Sequence, residues 1–162
     1  ALVIVDDTDT FRLYWKIDEE NLRDGGVLTL EDGTPIQASY DPAGGTGRCK
    51  LDLFDYDGDG KLDLIVGNGR RGAIPDRTSG YPLPVLGKKP LGTPLYLRNV
   101  GSNARPVFAR PSPFNHRTAG IVQPGGAHET GAVATALGGG GPNLLVASET
   151  GLLYLLRREN LS

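Results

Sequence analysis

One cysteine, Cys49, stands among 162 residues, so no disulfide can form within the chain. It shares a strand face with Leu51 and Leu53, which suits a buried structural thiol better than a reactive one. No run of eighteen apolar residues occurs, so the sequence offers no membrane-spanning helix. Charge of one sign is not in excess: 17 Lys and Arg face 19 Asp and Glu, a net charge of −2, which speaks against a generic nucleic-acid binder. Histidine is nearly absent, with only His116 and His128. No signal peptide is visible at Ala1, although a mature or excised chain would look the same.

What is abundant is turn chemistry. Twenty-four glycines and twelve prolines suit many short strands joined by tight turns. The strongest signal is Asp55-Tyr56-Asp57-Gly58-Asp59-Gly60-Lys61-Leu62-Asp63. Asp55, Asp57, Asp59 and Asp63 offer carboxylates at loop positions one, three, five and nine, and the Lys61 carbonyl can fill position seven. Such a set of hard oxygens suits calcium, which takes roughly six to eight of them. Gly60 falls where the chain must turn sharply. Without a cation the four carboxylates would repel one another. Position twelve is Val66, not the bidentate glutamate of an EF-hand, and the flanks alternate apolar and polar: Leu51-Asp52-Leu53 before, Leu62-Asp63-Leu64 across the end. The loop is therefore expected to join two strands, with Asp52 on the opposite face from Leu51 and Leu53 helping to orient it.

A strand pair of similar character recurs. Ala1–Val5 with Phe11–Trp15, Leu64–Gly67 with Pro94–Val100, and Asn143–Ala147 with Leu152–Arg158 read as three copies. Aligning Ala1, Asp63 and Asn143 gives offsets of 62 and 80 residues, the second enlarged by an insertion after Gly69. A period of about 60 residues built from short strands points to propeller blades. Asp-x-Asp-Gly-Asp-Gly-x-x-Asp running into Leu64-Ile65-Val66-Gly67 resembles the integrin-type FG-GAP or VCBS β-propeller repeat, and Leu95–Ser102 with Pro106-Val107-Phe108 is similar to the outer strands of such a blade. Gly138–Asn143 stands where a second calcium loop would be but carries no carboxylate, so no metal is expected there.

The resemblance implies an all-β chain of four-stranded antiparallel blades, about two and a half of them. Residues 1–47 would form a partial blade one, with strands at 1–6, 11–17 and 27–31. Residues 48–115 would form blade two, with strands at 48–54, 63–67, 94–100 and 106–110, the calcium loop 55–63 and an insertion 68–93. Residues 116–162 would form a partial blade three, with strands at 131–137, 143–148 and 151–158. Asp24-Gly25-Gly26 reads as a turn and Asp18–Arg23 as one helical turn. A closed ring takes about four to eight blades, so other blades or other copies of the chain are expected to complete it. An open-ended loop of this kind suits millimolar calcium, hence a secreted, periplasmic or cell-surface setting.

The calcium is expected to be structural, and chemistry to lie on the opposite face. The insertion carries Arg70, Arg71, Arg77, Tyr81, Lys88 and Lys89; the connection after blade two carries His116, Arg117, Gln123, His128 and Glu129; the first connection carries Tyr40, Asp41 and Arg48. Ligand contacts are expected from Arg70, Arg71, Arg77, Tyr81, Arg117 and His128, because arginine forks match carboxylate and sulfate and tyrosine stacks on sugar faces. An acidic glycan or a protein is the expected ligand. Propeller-fold polysaccharide lyases resemble this architecture, and there His128 or His116 would be the base, Tyr81 or Tyr40 the acid, and Arg70, Arg71 or Arg117 the group neutralising the uronate. A purely structural repeat of a large surface protein is the third reading. Arg157 and Arg158 read as a solvated end, and Trp15 as packing.

Overall fold

The computed structural model describes residues 1–38, 49–67, 92–124, 130–148 and 151–162. These are all-β. The strands are β1 Leu2–Val5, β2 Phe11–Lys16, β3 Leu22–Val27, β4 Lys50–Phe54, β5 Asp63–Gly67, β6 Leu95–Leu97, β7 Ser112–Pro113, β8 Asn115–His116, β9 Gly120–Ile121, β10 Thr130–Thr135, β11 Asn143–Ser148 and β12 Leu153–Leu156, with one 3-10 turn at Arg158–Asn160. They form small antiparallel sheets: β1-β2-β3, β4-β5-β6-β7, β10-β11-β12 and the hairpin β8-β9.

The second sheet is the middle layer. Directly paired residues share a face, and the rows Leu51–Val66–Leu95 and Leu53–Leu64–Leu97 of that sheet face the first sheet. There they meet Val3, Val5, Phe11 and Leu13, closed over by Leu28, Leu30, Ile36 and Phe108. The opposite row, Ile65 and Tyr96, joins Ala132, Leu144, Val146 and Tyr154 of the third sheet, with Tyr56 and Phe114. Strand β5 is therefore buried along its whole length, as its β-branched and leucine content suits. Each such side chain contributes roughly 1.5–3 kcal/mol of burial. Asp52, expected to help orient the aspartate loop, has an Oδ2 that accepts the Ala134 N–H at 2.8 Å and ties β4 to β10. Gly67 lets these two sheets approach closely, since a Cβ there would lie 2.0 Å from the Thr130 carbonyl oxygen.

The expected inner strands 1–6, 11–17, 48–54, 63–67, 131–137, 143–148 and 151–158 coincide with β1, β2, β4, β5, β10, β11 and β12 apart from their ends, and the expected 94–100 shortens to β6. The outer strands differ. The strand expected at 27–31 is β3 at Leu22–Val27, and Thr29 and Leu30 make only isolated bridges. The expected helical turn is instead an Asx turn, in which Asp18 Oδ1 accepts the N–H of Glu20 and Asn21. Asp24-Gly25-Gly26 is not a turn but a bulged stretch of β3, where Leu13 pairs with Gly26 and Tyr14 with Asp24. Any Cβ on Gly25 would come within 2.8 Å of Trp15 Nε1, so only glycine fits there.

The strand expected at 106–110 is likewise replaced by β7 as the partner of β6. Residues 107–109 share their backbone groups between Val100 and Arg98 on one side and Thr29 and Glu31 on the other, which stitches the first sheet to the second instead of forming one ladder. Pro113 sits on the edge strand, where its missing N–H costs nothing.

Candidate metal centre

The aspartate loop connects β4 to β5, the central pair of the middle sheet. Two left-handed glycines shape it, Gly58 at φ +80° and Gly60 at φ +84°, and neither has anything near a would-be Cβ. Asp55 Oδ1 accepts the Gly58 N–H at 2.9 Å, and its Oδ2 accepts the Gly60 N–H at 3.0 Å. Asp57 Oδ1 accepts the Asp59 N–H at 3.1 Å. Asp63 is fully buried at the start of β5. Its Oδ1 accepts the Asn99 N–H at 2.8 Å; its Oδ2 accepts the Tyr56 N–H at 3.1 Å and the Tyr96 hydroxyl at 2.8 Å. Burial first, and then this bond to Asp63, push the Tyr96 hydroxyl well above the usual tyrosine range.

Asp55, Asp57 and Asp63 converge, with one oxygen from each lying within 4.8 Å of the others. Oxygens on opposite sides of a calcium ion lie about 4.6–5.2 Å apart, twice the metal–oxygen distance, so the spread of this cluster fits a hard cation. Among the described residues none of the three forms an ion pair, although Asp63 is out of water. Asp59, the expected fourth carboxylate, stands outside the cluster. Its Oδ1 accepts the Lys61 N–H at 2.9 Å and its Oδ2 pairs with Lys61 Nζ at 3.1 Å. Those two bonds to Lys61, the backbone one first, hold the Asp59 carboxyl below its ordinary value. Lys61 presents its side chain to Asp59 and to the Asn99 carbonyl at 3.5 Å.

Two asparagines that the sequence reading passed over hold the loop. Asn103 accepts the Leu62 N–H at 2.7 Å and donates to the Gly60 carbonyl at 2.9 Å. Asn99, buried, donates to the Leu62 carbonyl at 3.2 Å and accepts the Gly101 N–H at 3.0 Å. They act across about 40 residues of chain, which no local spacing reveals.

The glycine-rich loop between β10 and β11 is organised differently. Asn143, buried at the position aligned with Asp63, donates to the carbonyls of Leu137 at 2.6 Å and Gly139 at 2.9 Å, and its Oδ1 accepts the Arg158 N–H at 2.8 Å. A carboxamide donor thus gathers carbonyls at this place. Of the two arginines expected at a solvated end, Arg157 is exposed, whereas the guanidinium carbon of Arg158 lies 4.3 Å from the ring centre of Tyr56, a residue of the second core cluster.

Of the expected ligand-face residues, Tyr40, Asp41, Arg48, Arg70, Arg71, Arg77, Tyr81, Lys88, Lys89, His128 and Glu129 lie outside the described residues. His116 is in β8, where its Nδ1 faces the Thr118 hydroxyl at 3.1 Å. It lines a cavity of about 520 Å³ with Ile121, Gln123, Val146, Tyr154 and Leu156. Arg117 is exposed beside it, its N–H donating to the Asn160 carbonyl at 2.9 Å. Cys49 is partly buried against the first core cluster, and burial pushes its thiol up to about 12. No helix of the described residues is long and apolar enough to cross a membrane. Comparison of the chain with protein-family models, with curated proteins and with solved structures returned no match.

Proposed function

We propose that the chain is a calcium-braced segment of an FG-GAP/VCBS-like β-propeller that works outside the cytoplasm as a scaffold binding an acidic glycan or a protein. The observation that carries this reading is the convergence of Asp55, Asp57 and Asp63 on the hairpin of the middle sheet. A cation there cross-links β4 to β5, and through Asp63 it reaches Tyr96 in β6 and the Asn99 backbone beyond it. Its role is bracing, because Asp63 is buried while Asp55 and Asp57 bond the loop backbone. The blade reading draws support from a shared register: Leu2↔Tyr14, Leu64↔Leu97 and Leu144↔Leu156 occupy matching places in β1–β2, β5–β6 and β11–β12. The glycan reading draws on the arginines at 70, 71, 77 and 117.

Calorimetric calcium titration of the purified chain and of Asp57→Ala tests the brace. Wild type is expected to bind, and to gain about 2.7 kcal/mol of unfolding free energy at a hundredfold excess over Kd; Asp57→Ala is expected to lose both effects. A wild-type unfolding midpoint identical in calcium and in chelator would overturn the reading. Retention on a uronate resin that drops for the paired variant Arg70→Ala, Arg71→Ala is the expected sign of glycan binding, and equal retention removes that ligand class.

A further inference from the structure

Residues 1–38 share an apolar core with the middle sheet, but the two backbones meet at one place. Among the described residues, both backbone hydrogen bonds between 1–38 and the rest of the chain use Phe108. Its N–H donates to the Thr29 carbonyl at 3.0 Å, and its carbonyl accepts the Glu31 N–H at 2.9 Å. The Phe108 side chain is buried in the same core cluster as Leu28, Leu30 and Ile36. The exposed pair of Arg110 and Asp32, 3.3 Å apart, adds little to this seam. How firmly the first sheet sits on the second therefore depends on how firmly Phe108 is held.

It is held from the aspartate loop. The Val107 carbonyl accepts the Val100 N–H at 2.8 Å and the Gly101 N–H at 3.2 Å, and the Ala109 N–H donates to the Arg98 carbonyl at 2.8 Å. Asn99 lies within that stretch, and its Oδ1 accepts the Gly101 N–H at 3.0 Å and the Val107 N–H at 3.4 Å. The loop fixes the same residue from the other side: the Asn99 N–H donates to Asp63 Oδ1 at 2.8 Å, and its Nδ2 to the Leu62 carbonyl at 3.2 Å. Asn103, between 98–101 and 107–109 in sequence, bonds the Gly60 carbonyl and the Leu62 N–H. Asn99 is 1% exposed, so freeing it on one side alone would leave buried polar groups unpaired. Its two sides therefore let go together.

We propose that the aspartate loop is the latch of this seam. With the loop ordered, Asn99 and Asn103 hold residues 98–109, and Phe108 clamps residues 1–38 to the middle sheet. With the loop loosened, the seam opens as one local unit while the third sheet stays folded. An ion that binds only the ordered loop shifts this equilibrium toward the closed seam. That lever rests on the calcium reading above; the run of hydrogen bonds from loop to Phe108 does not.

Amide hydrogen exchange of the purified chain, read residue by residue, tests the latch. The Glu31 and Phe108 amides report the seam, and the amides of β10 and β11 are the reference. In chelator, Asn103→Ala at its exposed position is expected to speed the two reporters about fivefold over wild type and to leave the reference unchanged. At a hundredfold excess of calcium over Kd, the wild-type reporters are expected to slow by up to about a hundredfold, because an open loop does not bind. Reporters that ignore Asn103→Ala, or that change only in step with the reference, overturn the latch. Calcium that calorimetry shows bound but that leaves the reporters unchanged overturns it as well. If calcium does not bind while Asn103→Ala still frees the reporters, the brace fails and the latch stands.

Discussion

Gly67→Ala should be among the most damaging single-methyl changes available among the described residues. The added Cβ would sit 2.0 Å from the Thr130 carbonyl oxygen and 2.9 Å from Gly131 Cα, both backbone atoms. A carbon–oxygen contact needs more than 3 Å, so the two sheets must separate by over an ångström or the strand must shift. Neither is easy where β4 and β5 both lie against β10 and Asp52 bonds to the Ala134 N–H. Overpacking into backbone places the cost at about 3 kcal/mol, the upper part of the usual range. For a domain of this size that lowers Tm by about 6–12 °C. Gly131→Ala is the matched control across the same interface. A Cβ there meets only Lys50 Cγ at 3.8 Å and needs no unusual φ, so it should be neutral or stabilise by up to about 1 kcal/mol. Urea denaturation of the three proteins, with calcium held constant, reads the difference directly. Equal midpoints for Gly67→Ala and Gly131→Ala would refute the packing of the second sheet on the third.

Asn103→Ala removes the clamp on the Gly60 carbonyl and the Leu62 N–H; it should cost about 1 kcal/mol and weaken calcium binding measured by calorimetry, and unchanged affinity would show that the loop is held without it. Asp6 is depressed well below the usual carboxylate range, chiefly by the Thr8 hydroxyl and further by Thr10, whose N–H and hydroxyl bond the same oxygen. A depressed folded-state value stabilises the native chain above the unfolded value, near pH 4, and that stability is lost as pH falls further. Denaturation midpoints across the acid range should therefore fall more steeply for wild type than for Asp6→Asn, and parallel curves would exclude this linkage.

Legibility followed the range of the interaction. The inner strands could be read because Leu51-Asp52-Leu53 and Leu64-Ile65-Val66 carry their burial pattern locally. The positions of Asp55, Asp57 and Asp63 could be read because one short loop holds them. Asp59 could not: the spacing offers it as a ligand, and only the fold of the loop turns it onto Lys61. The outer strands were displaced for a similar reason. Gly25 and Gly26 look like a turn, but the Trp15 and Leu13 side chains leave room only for glycine at the first of them and make the pair a bulge.

By itself the sequence determined an all-β chain, the hairpins of its three main sheets and an acidic loop suited to a hard cation. These follow from alternation, turn residues and short spacings, which act between near neighbours. Tertiary structure decided that the second sheet lies in the middle and that Asn99 and Asn103 hold the loop. It also decided that Arg158 packs on Tyr56. Those outcomes depend on which faces meet across dozens of residues, a pairing set by shape and burial that no local pattern encodes.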